Sequence, residues 1–313
     1  SSGIESLIAI RFVQGIASAM IMPVVQAYVG DITPVGQEGW IMGLFNMSMF
    51  IGLSAGPLIG GVIKDHFSLQ AAFGCMGVLS LVGFVLSLVY LPPTAGEPVV
   101  NHSRPLVAWK TILADRIIAG LCVYRLAYTA CIGIIWGFLP VFADTQFSVS
   151  ASGTGFLVML GVFVSGVIQV PMGWLSDRFS RKWMMLSGGI LVSVAVYAFS
   201  LAQGFRGLFW CSVGFGIGGG IAMPALTAAA VMQGGRIGAM GSTMALLTAA
   251  HSLGMLLGSV LAGTLMDLFA LRYAFVLGAA FMAAGTILFI VCTGSKNLNQ
   301  GKRPASEAAL PEG

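Results

Sequence analysis

Charge is what this sequence has least of. Of its 313 residues only 15 are Lys or Arg and 11 are Asp or Glu, 8% in all, where an average soluble domain carries about 25%. A folded soluble chain needs polar groups to cover its surface, and here they are too few. That argues against a soluble enzyme, a secreted module, a nucleic-acid binder and a disordered protein. Cysteine is sparse as well: the five (Cys75, Cys122, Cys131, Cys211 and Cys292) lie in apolar runs, with no CxxC pair and no neighbouring His. They read as small buried residues rather than as metal ligands or disulfide partners.

What is abundant is apolar surface. The hydrophobic fraction is 57% and the mean hydropathy +0.94, so lipid is the expected solvent and the class is an all-α polytopic membrane protein. About 20 apolar residues cross a bilayer as a helix. Nine such runs are predicted, at 6–29, 40–63, 71–91, 117–141, 153–173, 183–202, 207–232, 238–265 and 272–293. Residues 92–116 are rich in Pro and polar groups and read as a linker, and 295–313 form a polar tail.

The few charges orient the chain. Arg11 and Arg125 lie inside spans. One set of alternate loops holds Arg104, Lys110, Arg116, Arg178, Arg181, Lys182, Arg236, Lys296, Lys302 and Arg303; the other holds only Lys64, Arg206 and Arg272. The positive-inside rule puts the first set, with the linker and the C-terminus, in the cytoplasm. Nine spans then place Ser1 outside.

An internal repeat is also present. At an offset of 202 residues Gly52, Gly56, Gly61, Asp65, Phe67, Leu69, Ala72 and Phe73 fall on Gly254, Gly258, Gly263, Asp267, Phe269, Leu271, Ala274 and Phe275. At 201, Gly15 and Pro23 fall on Gly216 and Pro224. The first three spans thus repeat the last three, while the middle three have no upstream partner. Two parallel six-span halves, the first lacking three spans, fit this pattern, and parallel repeats are a transporter architecture. The expected division is a partial first half at 1–95, a cytoplasmic linker at 96–116, a six-helix half at 117–294 and a cytoplasmic tail at 295–313.

Three motifs lie on this frame. Ile10-Arg11-Phe12-Val13-Gln14-Gly15 places an Arg in an apolar span, where it faces either a wet cavity or the interface to which it snorkels. Gly52-Leu53-Ser54-Ala55-Gly56-Pro57-Leu58-Ile59-Gly60-Gly61 sets Gly at four-residue spacing, which lets a neighbouring backbone approach, and its Pro removes a helix hydrogen bond. Gly173-Trp174-Leu175-Ser176-Asp177-Arg178-Phe179-Ser180-Arg181-Lys182 joins two spans with one Asp and three cations, serving either as a topology signal or as partners for neighbouring helix ends.

Together with the repeat, these motifs resemble the major facilitator superfamily, and within it the twelve-helix drug:proton antiporters. The resemblance implies the major facilitator fold with nine of twelve helices present, the chain being N-terminally truncated. It implies alternating access in a proton-coupled exporter of drug-like small molecules, not an enzyme. Arg11 and Gln14 match the fourth-helix motif implicated in proton coupling. Gly52, Gly56, Pro57, Gly60 and Gly61 match the fifth-helix antiporter motif. Gly173, Asp177, Arg178, Arg181 and Lys182 match the second-half copy of the gating-loop motif. The expected partners are a small-molecule substrate, protons and the lipid bilayer of the plasma membrane. No nucleic acid, metal or cofactor is expected, a proton gradient supplies the energy, and the carrier is expected to be a monomer. Exporters of sugars, metabolites or other organic anions stay open, as does a non-transporting receptor or scaffold.

The substrate-cavity candidates are Arg125, Asn46, Gln169 and His251. Arg125 reads either as a cavity cation meeting an anionic substrate or as a structural Arg. His251 reads either as a group titrating near neutral pH or as a neutral packed side chain. No Asp or Glu lies mid-span, so proton coupling rests on the resemblance alone. Gly214-Phe215-Gly216-Ile217-Gly218-Gly219 has the spacing of a dinucleotide loop, but it lies inside an apolar span and predicts close helix packing instead.

Overall fold

The computed structural model describes residues 4–32, 38–90, 112, 114–176, 179–237 and 239–294. Nine long helices occupy them: α1 (Ile4–Ile32), α2 (Glu38–His66), α3 (Leu69–Tyr90), α4 (Arg116–Phe147), α5 (Ala151–Ser176), α6 (Arg181–Leu201), α7 (Gly204–Arg236), α8 (Met240–Leu268) and α9 (Arg272–Thr293). Each coincides with one predicted span. Seven of them, α3 to α9, are long and apolar enough to cross a membrane. Helices are the natural outcome where no water can satisfy the backbone, because each segment pairs its own N–H and C=O groups. The linker and the tail fall largely outside the described residues.

The chain forms two compact units. One comprises Ser1–Ile51 and Cys75–Ser103; the other comprises Gly52–Gly74 and Arg104–Gly313. The second unit holds the core. Helix α4 lies at its centre and touches α5, α6, α7, α8 and α9, with Leu121, Tyr124, Ile134, Leu139 and Phe142 fully buried. Asp115 caps α4: its Oδ1 accepts from the N–H groups of Ile117 (2.8 Å) and Ile118 (3.2 Å). Its Oδ2 accepts from Gln233 Nε2 at 2.7 Å, which ties the end of α7 to the start of α4. Tyr124 closes its own polar demand by donating to the carbonyl of Met185 at 2.7 Å, as a buried hydroxyl must.

Glycine sets the helix spacing. A side chain on Gly254 would meet Thr129 Oγ1 and the Leu126 carbonyl, and one on Gly258 would meet the Ala130 carbonyl. Helices α4 and α8 therefore run parallel with their backbones in contact. The Gly214–Gly219 run packs as its place in an apolar span predicts, and on three sides at once. Gly216 faces Gly161 and Val164 of α5, Gly218 faces Gly188 and Val192 of α6, and Gly219 faces Tyr128 of α4. The outward faces are apolar: Val167, Val194, Leu256 and Val291 are all exposed, as lipid-facing residues are.

Candidate functional site

The glycine–proline segment of α2 meets the backbone of α5 at Pro57 and Gly61. Among the described residues a side chain added at Gly52, Gly56 or Gly60 would meet nothing within 4 Å, whereas one on Gly61 would run into the carbonyl of Ala151. From the other direction, one on Gly155 would run into the carbonyl of Pro57. The approach is backbone to backbone, and both positions must be Gly for α2 to seat on the first turn of α5.

One turn beyond Gly61, Asp65 fastens this seam. Its Oδ1 accepts from the Ala151 N–H at 3.1 Å, its Oδ2 accepts from the Ser152 N–H at 2.7 Å, and the Ser152 hydroxyl donates to the same Oδ2. The first N–H groups of a helix have no intrahelical partner and carry partial positive charge. A carboxylate supplied from another helix satisfies them. The Ser152 hydroxyl, followed by its N–H, holds the Asp65 carboxyl below the usual carboxylate range. Sequence reasoning missed this role. The available signal was the recurrence of Asp65 at Asp267 in the repeat, where a charge at the end of an apolar span needs a partner.

Arg125 and His251 stand on α4 and α8, the two helices whose backbones meet at Gly254. Arg125 Nη1 contacts Met223 Sδ of α7 at 2.9 Å. His251 Nδ1 is buried with no hydrogen-bond partner among the described residues. One turn along α4 from Arg125, Tyr128 stacks on Phe215, with centroids 5.7 Å apart and planes within 2°. Gln169 is half-buried on α5. Asn46 lies on α2, but its side chain is outside those described.

The remaining predicted residues are separate. On α1, Arg11 Nη1 donates to Gln14 Oε1 at 3.1 Å, both side chains being exposed. Within the loop motif, a side chain added at Gly173 would meet the Pro224 ring at 4.0 Å. Arg181 is buried and reaches Met232 Sδ of α7 at 2.8 Å, and Lys182 Nζ donates to the carbonyl of Gly294, just past the end of α9. These two cations bind the start of α6 to the ends of two other helices. Asp177 and Arg178 lie outside the described residues.

Comparison with known proteins settles the class. The family described as Major Facilitator Superfamily matches residues 1–143 and 121–312. This chain belongs to the major facilitator superfamily. It is similar to an uncharacterised MFS-type transporter of Methanocaldococcus jannaschii, 25% identical over 94% of this chain and 74% of that protein. It is also similar to multidrug resistance protein 1 of Bacillus subtilis, 25% identical over 92% of this chain and 73% of the relative. Multidrug resistance protein 2 of the same organism is 25% identical over 92% and 72%. As a major facilitator protein the chain is a multi-pass membrane transporter built of helices, which accounts for its low charge and repeated glycines.

Proposed function

We propose that this transporter works by alternating access and exports drug-like small molecules in exchange for protons. The observation that carries the reading is the seam of Gly61, Pro57 and Asp65 against the start of α5. It joins a helix of the first repeat copy to a helix of the second through a handful of backbone contacts and three hydrogen bonds. A junction of this kind is held by backbone contacts and hydrogen bonds to one carboxylate. Two copies that rock about a fixed site need such junctions. The multidrug resistance relatives support the substrate class, and the match of Gly52 to Gly61 to the antiporter motif supports exchange.

In this reading the carrier is not an enzyme and needs no cofactor beyond the proton gradient. It works as a monomer in the plasma membrane with its C-terminus in the cytoplasm. Arg11, held by Gln14, takes part in proton coupling. Arg181 and Lys182 hold the cytoplasmic side of the second half closed, and their contacts change as the halves rock. Gln169, Asn46, Arg125 and His251 are assigned to the substrate cavity.

The test uses proteoliposomes with an imposed pH gradient and ethidium as the probe. Ethidium movement against its gradient, with matching proton flux, is expected. Solute movement without coupled proton flux would reject exchange but keep transport. No movement of any solute would reject both.

A further inference from the structure

We propose that the place where α6 starts and α9 ends is a binding site for an anionic phospholipid. Lys182 holds the phosphate, and the open face shared by α6 and α9 holds the chains. The site lies wholly within the second unit and does not depend on the transport reading.

The two helices meet in one register. A side chain on Gly278 would meet Val196, and one on Gly189 would meet Thr286. At the end of the same line Lys182 Nζ donates to the Gly294 carbonyl. Numbers rise along α6 as they fall along α9, so the helices run antiparallel. Residues one step past a contact, Ile190 and Ile287, then fall on the same side of the pair. That side is open. Trp183, Ile190 and Val194 of α6 are exposed, and so are Ile287 and Val291 of α9. Trp183 to Val194 is an apolar track about 16 Å long by the helical rise.

The track ends at cations. An ammonium has three N–H donors, and the Gly294 carbonyl takes one of those on Lys182. Arg116, which is exposed, flanks the end of α9 from α4. It lies one turn before Gly120, where an added side chain would meet Cys292 and Phe289. Among the described residues of the second unit, this end holds Arg116, Arg181, Lys182 and Arg236 against Asp115, whose oxygens serve the first turn of α4 and Gln233. At the other end Lys64, Arg206 and Arg272 are matched by Asp65, Asp144 and Asp267. A basic surface between helix ends attracts anionic headgroups.

Trp183 favours a lipid over a soluble anion. It is exposed directly beside Lys182, and an indole settles at headgroup level, with an apolar body and a polar tip. A free phosphate would use the cations and leave the track bare. A zwitterionic headgroup would bring a cation of its own to the same place.

The test is thermal unfolding of the full chain in detergent micelles carrying dioleoyl phosphatidylglycerol, dioleoyl phosphatidylcholine or inorganic phosphate. Phosphatidylglycerol should raise the Tm, less so at high salt, and the other two should not. In Lys182→Gln and in Arg116→Gln the half-saturating mole fraction of phosphatidylglycerol should rise about fivefold. Lys182→Arg should stay near the wild type. Arg206→Gln should do so too, since it removes a cation from the other end. Phosphatidylglycerol with brominated chains should quench indole fluorescence less in Trp183→Phe than in the wild type, a readout independent of melting.

Equal shifts with the two lipids, a shift given by phosphate alone, or a loss in Arg206→Gln as large as in Lys182→Gln would overturn the proposal. Quenching that is the same with and without Trp183 would also overturn it. If Lys182→Gln does not fold, Arg116→Gln and the quenching decide.

Discussion

The carboxylate of Asp65 lies against the first turn of α5, accepting the backbone N–H of Ser152 at 2.7 Å and also the hydroxyl of that residue. The contact is exposed, so water competes for it, and its strength lies in charge meeting a helix N-terminus.

The seam should respond to pH. The Asp65 carboxyl is held below its ordinary range, so the folded state binds its proton less readily than the unfolded chain does. Its contribution is therefore complete above the usual carboxylate range and is lost as pH falls through the lowered value. Spin labels at Phe67 and Thr145, both exposed, should report one short distance at neutral pH and a broader, longer distribution in acid. Asp65→Ala should show the broad distribution at neutral pH. A distribution unchanged by either treatment would remove Asp65 from the seam.

Glycine substitutions should divide by position. Gly61→Ala places a methyl against the Ala151 carbonyl and should destabilise by about 1–3 kcal/mol, the usual range for overpacking. Gly155→Ala should behave alike, from the opposite side of the seam. Gly52→Ala and Gly56→Ala meet nothing within 4 Å and should stay within about 0.5 kcal/mol. Tm values in one detergent give the comparison, and equal losses at all four positions would refute the backbone contact.

Asp115→Ala should cost about 0.5–2 kcal/mol, as loss of an N-cap does. It also removes the acceptor of Gln233. Gln233→Ala added to Asp115→Ala should therefore cost less than it does alone, because the two residues share one hydrogen bond. A double-mutant cycle by thermal unfolding reads that coupling.

Arg11→Ala tests the assignment of proton coupling. In proteoliposomes it should abolish ethidium uptake driven by a pH gradient while leaving downhill ethidium exchange within about a few-fold of the wild type. Loss of both activities together would point to a structural role.

Several features could be read without coordinates. The shortage of charge specified the solvent, and runs of about 20 apolar residues specified the nine helices, because the bilayer thickness sets element length. The glycine spacing that repeats at an offset of 202 specified the family architecture. The Gly214–Gly219 run was legible as packing because it lies within an apolar span. Asp65 was harder. Its partners are the N–H groups of Ala151 and Ser152, 86 and 87 residues away, and a backbone donor leaves no mark in a sequence. The same holds for Arg125: it stood out as a polar residue in an apolar run, but its contact with Met223 depends on how α4 and α7 pack.

What the sequence by itself determined is the class: a chain with this little charge must be solvated by lipid, and each backbone must then close its hydrogen bonds within its own helix. The tertiary structure decided which small residues touch. In the glycine–proline segment, four glycines look alike in one dimension, yet among the described residues only Gly61 meets a neighbouring backbone. It also decided that a cation on one helix meets a thioether on another. Helix propensity and hydropathy act along the chain, whereas close approach and charge pairing act across it, and only the packing of parallel helices sets those distances.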